Sequence, residues 1–81
     1  MCLNFCMEIF AKRLSELRKE KGISQSQLAK ETGISQAAIA FWEAGERIPG
    51  ALALITISKY FKISTDYLLG LEDETGTKIY N

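Results

Sequence analysis

The string GISQ occurs at residues 22–25 and again at 33–36, inside KGISQSQLAKETGISQAAIAFWEAG. At about 3.6 residues per turn, the interval between the copies holds one helix of roughly two turns. Glycine takes the left-handed conformation that closes a helix, and serine is a favoured residue for opening the next one. Each Gly-Ile-Ser therefore ends one helix and begins another with only an apolar residue between. Ser24 is followed three positions later by Gln27, the pattern of a capping box. The repeat thus marks two helix junctions, and a chain cut in this way builds short, closely joined helices.

The flanking sequence extends that reading to five helices and an all-α domain. Phe10, Leu14 and Leu17 fall at i, i+4 and i+7, a helical stripe over 8–21 that the cationic KEK and Gly22 bring to an end. The second helix is predicted over 25–32, with Leu28 and Ala29 inward, and the third over 36–44, stopped by Gly45. Two short helices joined through Gly33, Ile34 and Ser35 form a helix-turn-helix arrangement. Ile48-Pro49-Gly50 breaks the chain before an apolar fourth helix at 51–61. Lys62 and Ile63 then lead to Ser64, a third serine cap, and a short fifth helix reaching Leu69 before Gly70.

With 81 residues the chain has room for one small core. Residues 1–7 read as an N-terminal extension, 8–70 as the domain and 71–81 as an acidic, irregular tail. There is no histidine, and the only cysteines are Cys2 and Cys6. That removes the usual general base and leaves too few soft ligands for a structural zinc site, so neither catalysis, a metal nor a cofactor is expected. Two cysteines make no disulfide framework, as suits a reducing cytoplasm. No apolar run approaches the ~18 residues of a membrane span, and MCLNFCMEIF lacks the basic start of a signal peptide. The net charge of zero hides a split. Residues 8–70 hold nine Lys/Arg against seven Asp/Glu, while the tail holds Glu72, Asp73 and Glu74 against Lys78.

The pattern S-Q-x-x-L-A, then G-I-S, then I-x-x-W-E-x-G and P resembles the phage repressor and Cro family, also called the XRE-type helix-turn-helix family. It is carried by Ser24, Gln25, Leu28, Ala29, Gly33, Ile34, Ser35, Ile39, Trp42, Glu43, Gly45 and Pro49, and continues through Ile63-Ser64 and Leu68-Leu69-Gly70. The resemblance covers about residues 8–70. It implies a five-helix bundle whose third helix lies in the DNA major groove, with dimers reading palindromic operators. It further implies that Glu43 pairs with Arg18 to tie the first helix to the third, and that Gln25 helps hold a phosphate.

At about 100° per residue, Ala38, Ile39 and Trp42 share the inner side of the third helix. Ala37, Ala40 and Ala44 lie opposite, flanked by Gln36 and Phe41. Gln36 can pair bidentately with adenine or touch a phosphate, and Ala37, Ala40 and Phe41 suit thymine methyls. Phe41 equally suits a protein contact. No Arg, Lys or Asn stands on this outer face. Phosphate contacts are therefore expected from Gln25 and Ser35 at the helix starts and from Arg47, Lys12 and Arg13, with Lys30 nearby. Leu52, Ile55 and Tyr60 exceed the apolar needs of the fourth helix. Either the tail covers them through Ile79 and Tyr80, or they form a homodimer contact. The expected function is a sequence-specific DNA-binding regulator, a repressor acting by operator occupancy. Its partner is double-stranded DNA, with no small-molecule ligand and no membrane. The alternative is a protein-interaction module on the same fold, such as an antitoxin or anti-regulator.

Overall fold

Ser24, Ser35 and Ser64 each open a helix through their own hydroxyl. Their Oγ atoms accept from the backbone N–H groups of Gln27 at 3.0 Å, Ala38 at 3.1 Å and Tyr67 at 3.0 Å. The computed structural model describes residues 2–71, with side chains from Met7 onward. It contains α1 (Cys2–Lys21), α2 (Gln25–Thr32), α3 (Gln36–Glu43), α4 (Ala51–Phe61) and α5 (Thr65–Leu69), and no strand among the described residues. The helix-stopping device of the repeat is used three times rather than twice. Gly22 and Gly33 are left-handed, with φ of +75° and +77°, and Lys62 takes the same place before Ile63-Ser64 with φ of +57°. Ile23, Ile34 and Ile63, the middle residues of the three junctions, all pack against the core.

A left-handed lysine costs about 1–2 kcal/mol, and glycine there costs about 0.5–1 kcal/mol in chain entropy. Lys62 is exposed. Lys62→Gly is therefore expected to raise the unfolding free energy by up to ~1 kcal/mol, measured in urea. A loss of stability would show that the lysine side chain contributes more than its backbone strain costs.

One buried cluster joins all five helices: Phe10 and Leu14 from α1, Leu28 from α2, Ile39 and Trp42 from α3, Ile57 from α4, and Leu68 from α5. Phe10 meets Trp42 edge to face, with ring centroids 6.1 Å apart at 71°. Leu17, Ala29 and Ala38 pack around this cluster as their periodicity predicts, and Leu54, Phe61 and Ile63 join them. α1 packs on α3 and α5, and α2 packs on α3 and α4. α3 is thus held from two sides and presents its remaining face outward.

Three local expectations are corrected. α1 begins at Cys2 rather than near residue 8, because 2–7 contains no glycine or proline to stop the helix from extending. Only half of the capping box forms. Gln27 donates its side-chain amide to the Glu31 carboxylate at 2.6 Å, an ionised acceptor one turn away, instead of folding back to Ser24. Tyr60, expected beside Leu52 and Ile55, packs against the core and edge to face on Phe61 at 4.9 Å. Its hydroxyl donates to Glu31, and the Lys21 ammonium lies over its ring at 4.9 Å. Gln27 first and Tyr60 second hold Glu31 below the ordinary carboxylate range, and the same bond raises Tyr60. Leu52 and Ile55 do stay exposed, at 81% and 45%. The proposed cover by Ile79 and Tyr80, and the tail itself beyond Leu71, lie outside the described residues, as do the side chains of Cys2 and Cys6.

Candidate nucleic-acid interface

The outward face of α3 has the composition its periodicity predicts. Gln36, Ala37, Ala40, Phe41 and Ala44 are all exposed, while Ile39 and Trp42 are buried beneath them. Alanine side chains this small let another surface approach the helix closely. α2 and α3 carry no acidic residue in their first turns, whereas α5 carries Asp66 in its own. Neither the start of α2 nor that of α3 has a carboxylate in its own first turn to engage its N–H groups and positive dipole end, a setting that favours an anion from elsewhere. Ser35 and Gln25 stand at these two starts.

After α3 the chain turns through Gly45, and Arg47 folds back so that its guanidinium lies 4.4 Å above the Phe41 ring. Stacking engages the face of the guanidinium, and its N–H donors lie in the edge. Phe41 is 38% exposed, and Ile48, which follows Arg47 in the chain, is 36% exposed. The outer surface here is a small apolar shelf bearing a cation.

Beneath that surface Arg18 and Glu43 form a fork. Arg18 Nε and Nη2 donate to the Glu43 carboxylate at 2.7 and 3.0 Å, and Nη1 donates to the Ile23 carbonyl at 2.8 Å. The side chains are only 14% and 7% exposed. The hydrogen bond to Glu43 raises Arg18 above the ordinary arginine range against the opposing effect of burial, and the Glu43 charge adds to it. Gln25 joins the pair, its Nε2 donating to Glu43 Oε1 at 3.1 Å. The amide at the start of α2 is therefore oriented by a carboxylate at the end of α3.

The other expected cations divide. Lys12 and Lys30 are exposed. Arg13, expected at a phosphate, is instead drawn to α5. It donates to the Tyr67 carbonyl and stacks over the Tyr67 ring at 4.1 Å, because α1 packs on α5 along that side. Both contacts link α1 to α5. One contact had no signal in the sequence: Ser26 Oγ donates to Gln36 Oε1 at 3.0 Å, bridging the starts of α2 and α3. The residues are ten apart, and only the crossing of two helices brings them together.

A family model described as Helix-turn-helix matches residues 14–68. The chain is 39% identical over 64 residues to the HTH-type transcriptional activator BcrR of Enterococcus faecalis, covering 79% of this chain and 31% of that protein. It is 31% identical over 71 residues to the uncharacterized HTH-type transcriptional regulator YobD of Bacillus subtilis (strain 168), covering 88% of this chain and 63% of that protein. The chain thus spans less than two thirds of the length of either relative. Among solved structures it resembles the restriction-modification controller protein C.AhdI from Aeromonas hydrophila, with a TM-score of 0.69 and 29% identity. That match covers 76% of this chain and 94% of the controller.

Proposed function

From the premise that this chain belongs to the XRE/Cro-like helix-turn-helix family of DNA-binding transcriptional regulators, we propose that it binds a palindromic operator as a homodimer, with α3 in the major groove. The observation that carries this is the face of α3, an exposed alanine surface with one amide above a nearly buried ion pair that ties α3 to α1. Gln36 pairs with adenine, and Ala37, Ala40 and Phe41 meet thymine methyls. Gln25, Ser35, Arg47 and Lys12 hold phosphates, Gln25 with the amide that Glu43 orients and Arg47 from its seat on Phe41. The action proposed is repression by occupancy. Blocking a site needs no surface beyond the one that binds DNA, whereas activation needs a second contact. The competing reading, a protein-interaction module, draws on the same exposed Phe41 and on the zero net charge.

Leu52 and Ile55 supply the proposed subunit contact, since α4 leaves both exposed while Tyr60 is taken up within the chain. Without an arginine on α3 to fork onto guanine, the operator should lean toward A/T. Selection from random duplexes is expected to enrich an A/T-leaning inverted repeat with half-sites ~34 Å apart. Sedimentation should show a dimer at micromolar concentration that Ile55→Lys disrupts. A pool that remains random would favour the interaction module. A wild type that stays monomeric would remove this dimer contact while leaving the DNA face intact.

A further inference from the structure

We propose that Ser26 is a positioning residue for base reading, acting through Gln36. This rests on the proposal that α3 reads DNA. A glutamine amide sits at the end of a flexible side chain, and pairing with a base edge through two hydrogen bonds needs it in one place. A glutamine that swings freely reads poorly, because most of its positions miss the base edge. The Ser26 hydroxyl donates to Gln36 Oε1 at 3.0 Å, which ties the amide to one place at the start of α3 and narrows the swing of its side chain. That bond leaves a second lone pair on Oε1 and both hydrogens on Nε2, the acceptor and donor that adenine N6 and N7 require.

Ser26 suits this task for a local reason. It lies in the first turn of α2, one residue beyond Gln25, and both it and Gln36 are exposed. Gln25, whose amide is the same size, is already held by Glu43 at 3.1 Å. The two glutamines at the helix starts are therefore oriented separately, Gln25 by a carboxylate and Gln36 by a hydroxyl. Ser26 carries no charge, so its contribution should appear in the choice of sequence and not in salt dependence.

The test uses the whole chain, the duplex obtained by selection, and its single-base variants. Ser26→Ala should reduce discrimination at the base pair that Gln36→Ala also relaxes, by about five-fold, the worth of one neutral hydrogen bond. The salt slope and the urea midpoint should stay at wild-type values. Ser26→Thr restores the hydroxyl and should restore discrimination. In a Gln36→Ala background, Ser26→Ala should change nothing further. An equal loss across all base variants would overturn the proposal and make Ser26 a phosphate contact, and unchanged discrimination would also overturn it. If Gln36→Ala relaxes no base pair although the selected site is still bound, positioning fails while DNA binding stands. If the wild type prefers no duplex at all, the proposed function fails and this inference with it.

Discussion

Glu43→Ala is expected to lower the unfolding free energy by about 3 kcal/mol, and Arg18→Ala by a similar amount. The pair is nearly buried, and each partner satisfies most of the other's hydrogen bonding. Removing Glu43 leaves the guanidinium with the Ile23 carbonyl, and removing Arg18 leaves a carboxylate 7% exposed with only the Gln25 amide. Either change strands a charge in a poorly solvated place, and that cost exceeds the net worth of the pair. Removing both strands neither, so the double variant should be far less damaged than the sum of the singles. Urea unfolding of the four proteins should give a coupling well above ~0.5 kcal/mol. Additive losses would show that the pair does not tie α1 to α3.

The second large effect concerns binding. Ala40→Glu should leave the fold intact, because Ala40 is exposed and glutamate is nearly as good a helix former as alanine. In the groove, however, the new carboxylate would face phosphates. Like charges brought together at an interface cost several kcal/mol, so affinity for the selected duplex should fall by about 100-fold or more. Fluorescence anisotropy with a labelled duplex measures the loss, and a melting curve checks the fold. A variant that binds as the wild type does would place α3 away from the DNA.

The legible parts of this molecule are those that depend on residues close together in the chain. Serine caps act over three residues and amphipathic stripes over four, so the helix junctions and the core positions at Phe10, Leu14, Leu28, Ile39 and Trp42 follow from spacing alone. The third junction was legible from Ser64, but not that Lys62 would take the positive φ that glycine takes at the other two. What it does there depends on Ile63 and Ser64 repeating the Gly-Ile-Ser geometry around it. The Arg18–Glu43 pair was accessible only through resemblance, since its partners are 25 residues apart. The remaining misplacements arose where a side chain had a choice of partners. Tyr60 was an apolar surplus in one dimension and a bridge to Glu31 in three. Arg13 counted as a surface cation until α5 packed beside it. Gln27 turned from a backbone N–H to a carboxylate. Ser26 met Gln36 through a helix crossing that periodicity does not encode.

The zero net charge makes the central claim testable in a single titration. If α3 and the two helix starts bind DNA, the cations that matter are local ones such as Arg47, and their effect must appear despite the overall balance. Binding of the wild-type chain to the selected duplex should be measured across a range of salt concentrations, beside a random duplex and Arg47→Ala. The account predicts a logarithmic affinity that falls linearly with the logarithm of salt, with the selected duplex bound more tightly throughout, and a slope that Arg47→Ala flattens by about one contact. An affinity indifferent to salt, or equal for the selected and random duplexes, would contradict it.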